Sequence, residues 1–294
     1  MKKNYLYALL TVFIWGTLAT VAKLLLSNFP NLQTLFVGSI FAFITLLIIN
    51  IKKGLIKKLK NYSLKDYLIM TALGFLGLFV YSALYYYGLS SLTSQEACIL
   101  NYLWPIMIVL FSCIILKEKF TLTKAIAILC SFLGIIILSA GKGTLQGENA
   151  AAGIICCIIA AACYGLFSVL NKKADYDQNI AMMIIWLAVS VFSGVLGAFT
   201  EDWKSIEGVQ WLGMIWLGVF VNAIAYLLWA LALNGAKNTA KIANLAYLTP
   251  FISVVISALV LKEELSLQAI IALVFIVGGI LLQSFCDRAK DSAG

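Results

Sequence analysis

Ten uninterrupted apolar stretches divide this sequence, at about 5–26, 32–51, 67–88, 95–116, 122–140, 149–171, 179–200, 208–232, 239–261 and 266–285. Each is close to the ~20 residues a helix needs to cross ~30 Å of hydrocarbon. Continuous runs of this length exclude half-buried strands, and the spans of a β-barrel would alternate with period two. With 63% hydrophobic and 12% charged residues and a mean hydropathy of +0.99, a soluble domain could not hide its apolar surface. A chain dissolved in lipid has no need to. The loops are short, so no soluble domain is expected. Lys2 and Lys3 before the first run resemble the start of a signal peptide, but no small-x-small cleavage site follows. The segment reads as an uncleaved first helix.

Residues 102–139 recur at 247–284 without a gap, with 14 of 38 positions identical, among them Tyr102/Tyr247, Pro105/Pro250, Glu118/Glu263 and Gly134/Gly279. Apolar bias raises chance identity but does not align Pro, Lys-Glu and Gly together. Trp15-Gly16 with Lys23 corresponds in the same way to Tyr164-Gly165 with Lys172. The chain therefore divides into two related halves, 1–141 and 142–294. Five spans per half is an odd number, so the second half is expected to insert upside down. The fold expected is all-α and membrane-integral, with ten transmembrane helices as two inverted five-helix repeats.

Charge sets the orientation. With the N-terminus inside, 17 Lys and Arg fall on cytoplasmic segments and four (Lys23, Lys142, Lys204, Lys262) on the outer side. By the positive-inside rule both termini are cytoplasmic. The turn KEKFTLTK after the fourth span is basic and faces inward; its partner KEELSLQ after the ninth is net acidic and faces outward. The net charge of +8 then reflects topology, and no soluble basic face exists for nucleic acid.

Several chemistries are excluded. The sequence has no histidine, and no serine has a base partner that the sequence suggests. The seven cysteines lie almost entirely within apolar runs without metal-ligand spacing and read as small buried hydrophobes. AGKGT at 140–144 faintly resembles a phosphate loop, but the pattern needs a glycine where Ile136 stands. No enzyme activity, cofactor or metal is expected.

Polar and aromatic residues inside the spans carry the functional signal. Pro105 in Asn101-Tyr102-Leu103-Trp104-Pro105 removes a helical donor in mid-span. Pro250 repeats the device after Asn244, Tyr247 and Thr249. Irregular backbone at membrane depth is tolerated where it lines a cavity or finds a protein partner, and broken helices in matching positions of two halves point to a midplane site. Tyr81 and Tyr85 lie four apart on the third helix; Asn222, Tyr226 and Trp229 follow i, i+4, i+7 on the eighth; Trp15 and Tyr164 are repeat partners. Lys23 late in the first helix and Glu96 early in the fourth are expected near the outer surface, as a gate or coupling pair. The bland alternatives are a structural kink, an interfacial aromatic belt, and snorkelling of Lys23.

The repeated Tyr-Leu-x-Pro followed by a Glu-containing turn resembles the ten-helix drug/metabolite transporter superfamily of EamA type, over nearly the whole chain. Glu96 before Asn101-Tyr102-Leu103-Trp104-Pro105, Asn171-Lys172, Ala225-Tyr226 to Trp229 and Tyr247-x-Thr249-Pro250 look like the aromatic amino acid exporter branch. Position 164 is Tyr, where that branch tends to carry Trp. The resemblance implies a central aromatic cavity and export of amino acids with broad selectivity across the cytoplasmic membrane. Its partners would be a small-molecule substrate and the lipid bilayer, with the protein a monomer or weak homodimer. Export of another metabolite or a cationic drug, or a non-transporting role beside a lipid flippase, are the alternatives.

Overall fold

The structure, a computed structural model, describes residues 2–117, 119–139, 149–173, 176–234 and 244–291. Glu118, Lys241 and the AGKGT segment lie outside the described residues, as do the side chains of Lys172 and Asn244. The described residues form helices and no strand. Seven helices are long and apolar enough to cross a membrane: α1 (Lys3–Leu26), α2 (Asn31–Lys52), α3 (Leu64–Ser91), α4 (Ser94–Ile115), α6 (Ala150–Asn171), α7 (Gln178–Thr200) and α8 (Gln210–Trp229). α5 (Leu122–Ser139), α9 (Asn244–Leu248 continued by Thr249–Leu261) and α10 (Leu267–Asp291) have shorter apolar stretches. Large apolar side chains stand outward on this bundle, among them Phe199, Leu122, Leu259 and Ile114. An apolar exterior around a packed interior is the arrangement that lipid permits and water does not.

Local chemistry sets the helix starts. Ser63 and Asp66 form a reciprocal capping box at the start of α3, and Thr93 and Glu96 form another at the start of α4. The Asp177 side chain accepts from the Asn179 N–H to start α7. These pairings satisfy backbone donors that a helix leaves open in its first turn. Five helices are not continuous α-helix: α9 opens on its 3₁₀ segment, and four others are interrupted. α1 is interrupted at Thr17, whose hydroxyl donates to the Ile14 carbonyl at 2.7 Å and accepts from Trp216 Nε1 at 2.8 Å. α4 breaks at a turn over Tyr102 and Leu103, and Pro105 opens its second segment. α3 and α8 each contain a π-helical segment, Phe75–Val80 and Trp216–Ile224, in similar sequence: FLGLFVYSALY against WLGVFVNAIAY.

The outer pairs are α5 with α10 and α2 with α7. In the first, Gly134 sits against the Ala272 carbonyl and Gly279 against the Ala127 carbonyl, so the two helices run antiparallel. A Cβ at either glycine would come within 2.7–3.0 Å of the facing helix, which is why small residues occupy the crossing. α2 and α7 are antiparallel too, with Phe36 against Gly194 and the Asn50 side chain donating to the Asn179 carbonyl. Inside them α1 packs on α8 and α9, and α6 packs on α3 and α4.

Candidate substrate cavity

The six inner helices surround a partly open cavity of about 280 Å³ lined by residues of α1, α3, α4, α6, α8 and α9. Its walls are aromatic. Trp15 meets Tyr226 edge-on with ring centroids 5.2 Å apart and lies 5.7 Å from Trp229. On the other side Tyr85 stacks on Tyr81 at 6.0 Å, Tyr81 meets Tyr164 at 5.1 Å, and Tyr164 meets Trp104 at 5.4 Å. Tyr102 joins Trp104 at 6.0 Å and donates its hydroxyl to the Ala246 carbonyl. The rings pack against one another, so each is held in place before a ligand arrives.

Polar atoms are few and concentrated. Asn101 Nδ2 donates to the Tyr81 hydroxyl at 3.1 Å, while Asn101 Oδ1 has no protein partner. Thr249 Oγ1 and Ser253 Oγ also lack one, although Thr249 lies beside Tyr102 and Ser253 beside Cys98. All three atoms belong to residues lining the cavity. Cys98, Asn101 and Tyr102 share a face of α4 at i, i+3, i+4, and Thr249 and Ser253 share a face of α9 at i, i+4. Buried polar groups in folded proteins are almost always paired, so three orphans on residues that line one space mark its wall as a place for polar ligand atoms. Among the described residues, no charged side chain lines it.

Nine of the residues expected from sequence line this cavity: Trp15, Tyr81, Tyr85, Asn101, Tyr102, Trp104, Tyr164, Tyr226 and Trp229. Asn222 does not. It belongs to the π-helical segment of α8, where the wider turn closes at i+5 and breaks the i, i+4 relation to Tyr226. Its amide instead lies 3.9 Å from where a Cβ on Gly38 of α2 would stand. Tyr247 also falls elsewhere, in an apolar groove of about 310 Å³ with Phe251, Val274 and Leu281 between α9 and α10. The 3₁₀ segment Asn244–Leu248 winds more tightly than an α-helix and sets this residue, half-buried, against the α10 side. Lys23 and Glu96 form no ion pair. Lys23 Nζ donates to the carbonyls of Leu89 and Leu92, and Glu96 accepts from the Thr93 N–H at 3.0 Å within its capping box. Pro105 and Pro250 each stand near the start of a helical segment, where a missing N–H leaves no gap in the ladder. Sequence reasoning missed Ser253 and Cys98 as lining residues; a lone serine or cysteine in an apolar run carries no signal of its own.

The comparisons agree in kind. The family model described as the EamA-like transporter family matches residues 2–140 and again residues 151–285. An uncharacterised transporter, YvbV of Bacillus subtilis, is 28% identical over 289 residues, covering 96% of this chain and 92% of its own length. The aromatic amino acid exporter YddG of Ancylobacter novellus is 23% identical over 214 residues, 72% of this chain and 74% of its own length. A solved crystal structure superposes with a TM-score of 0.70 at 20% identity and covers 99% of both chains. That likeness concerns the fold alone.

Proposed function

Because the chain belongs to the EamA-like transporter family, we propose that it carries amino acids with bulky apolar side chains, aromatic ones included, out of the cell by alternating access. The observation that carries this reading is the set of orphaned polar atoms in an uncharged, ring-walled cavity. Asn101 Oδ1 can accept from an ammonium group, and the two hydroxyls of Thr249 and Ser253 can donate to the two oxygens of a carboxylate. A zwitterion satisfies all three and brings no net charge into a space without a counter-ion. The rings then take the side chain. Ring pairing adds only ~0.5–1.5 kcal/mol beyond area burial, and 1.4 kcal/mol is about tenfold in affinity, so selectivity among side chains is broad. A cavity of about 280 Å³ suits one small molecule and is at the lower limit of drug-sized sites.

Alternating access is supported by the pairing of the helices. Repeat partners α5 and α10 cross antiparallel at matched Gly and Ala positions, as two halves inserted upside down would. Both halves contribute three helices to the cavity. In inverted repeats the two halves can exchange conformations and open one midplane site to each side in turn. The 17-to-4 charge bias supports cytoplasmic termini in the cytoplasmic membrane.

The test is transport by protein reconstituted in liposomes, with phenylalanine, phenethylamine and 3-phenylpropionate compared. Phenylalanine moves and the two singly charged analogues do not. Flux of phenethylamine equal to that of phenylalanine would favour the second reading, a carrier of cationic compounds held by the ring faces.

A further inference from the structure

A Lys-Glu pair recurs in the sequence at 117–118 and 262–263, and Lys117, Lys262 and Glu263 do not line the cavity. Lys117 and Lys262 both end their helices in left-handed backbone, each with φ 56°. At Lys262 that reversal turns the next residue, Glu263, onto the first turn of α4. Its carboxylate accepts the Ser94 N–H at 2.7 Å and the Gln95 N–H at 3.1 Å. Gln95 Nε2 returns to the carbonyls of Glu263 and Glu264 at 3.4 and 3.3 Å. The Ser94 hydroxyl is 2.9 Å from that of Ser257, which is 2.9 Å from that of Thr20. Lys23, on the same stretch of α1, is bonded to the carbonyls that end α3.

This band joins α1, α3, α4 and α9 at one end of the cavity. Thr20, Ser94 and Ser257 each lie within about a helical turn of a lining residue: Ala19, Cys98 and Ser253. We propose that Glu263 is the latch that holds the cavity shut on the face where α9 ends, and that its release from α4 opens the site to that face. The first-turn N–H groups of α4 need an acceptor, and a carboxylate at a helix N-terminus meets both the unpaired donors and the dipole. Glu263 is only partly buried, so water can replace it on α4 when the helices part. Among the described residues, Lys23 and Glu96 are charged groups close enough to bear on it.

The fold contains its own control. Glu201 clamps the first turn of α2 in the same way, accepting the Leu32 and Gln33 N–H groups at 2.9 Å each. That clamp closes the α2–α7 pair, which does not border the cavity. A carboxylate that merely stabilises a helix start would behave alike at both places.

The inference rests on the cavity being the substrate site, but its first test does not need a substrate. A membrane-impermeant maleimide is applied separately to right-side-out and inverted vesicles, and modification of Cys98, which lines the cavity, is followed by peptide mass spectrometry. Lys262→Cys labelled in parallel identifies the face that carries Glu263. From that face Glu263→Gln raises the Cys98 modification rate by about tenfold or more, the ratio expected when a hydrogen bond to a charged group is weakened. Glu201→Gln leaves the rate at the wild-type value. No increase in Glu263→Gln, or an equal increase in Glu201→Gln, overturns the proposal. Should Glu263→Gln fail to reach the membrane, the converse experiment decides. Gln95→Cys with Glu264→Cys, bridged by a reducible thiol reagent, stops phenylalanine transport until the bridge is cleaved. Unimpaired transport by the bridged protein, in a preparation where the unbridged protein transports, contradicts the latch and leaves the transport reading intact.

Discussion

Two lysines hold backbone that lysine rarely adopts. Left-handed conformation costs an L-residue about 1–2 kcal/mol, and Lys117 and Lys262 both accept it at the ends of α4 and α9. Lys262→Gly should therefore keep or raise the thermal midpoint in detergent, and Lys262→Ile, β-branched at positive φ, should lower it. Gly88 poses the opposite demand. A Cβ there would stand 2.2 Å from Cys157 Sγ of α6, so Gly88→Ala should destabilise by roughly 1–3 kcal/mol, as overpacking does. The double variant Gly88→Ala/Cys157→Ala should recover most of that loss in the same melting measurement. At this scale much of the aromatic wall was legible, because Trp15, Tyr81 and Trp104 fall well inside their spans, where an interfacial belt would not put them, and Tyr85 and Tyr226 share helix faces with other polar aromatics. Glu96, read from the sequence as half of a gate or coupling pair, carries a pattern that reading passed over: Thr93-Ser-Gln-Glu96 before an apolar run is a capping box, which explains the carboxylate without a partner lysine. Thr249 and Ser253 were not legible as an orphaned pair, since what distinguishes them is the absence of a neighbour.

Among the elements, the α5–α10 crossing is set by Gly134 and Gly279. The atoms a Cβ would meet include the backbone carbonyls of Ala272 at 2.9 Å and Ala127 at 3.0 Å, which side-chain motion cannot move aside. Gly134→Ala and Gly279→Ala should each lower stability by about 1–3 kcal/mol, read as lost cross-linking between cysteines placed along the two helices. The loop after α2 is tied to α7 by Lys58 and Asp177 at 2.7 Å. Partial burial alone would raise Asp177, but the Lys58 ammonium and the Asn179 donors hold its carboxyl below the usual range. A depressed folded value stabilises above the ordinary carboxylate pKa and is lost as pH falls through the folded one. Lys58→Gln should thus lower the melting midpoint at pH 7 and have little effect once the carboxyl is protonated. Helix number and order could be read from the apolar runs alone. The π segments of α3 and α8 could not, because apolar periodicity in a membrane span does not distinguish an i+4 from an i+5 turn, and the misassigned face of Asn222 follows from that.

For the whole molecule, the proposed two-half organisation rests on the repeat and the charge bias, since an odd number of spans per half constrains orientation by counting alone. The interleaving was not readable: that α1 packs on α8 and α6 on α3, so that the cavity is shared between halves, is a property of contacts distant in sequence. Lys57→Cys, in the basic loop after α2, should be labelled by an impermeant reagent from the cytoplasmic face only. The central claim is that one cavity, opened alternately to the two faces, carries the substrate. Counterflow in proteoliposomes tests it most directly: vesicles loaded with a saturating concentration of unlabelled phenylalanine are diluted into a trace of labelled phenylalanine. Wild-type protein should accumulate label transiently above equilibrium, and Asn101→Leu and Trp104→Ala should not, at equal protein abundance. Entry of label that is no faster in loaded vesicles than in empty ones, or wild-type counterflow in both variants, would contradict the central claim.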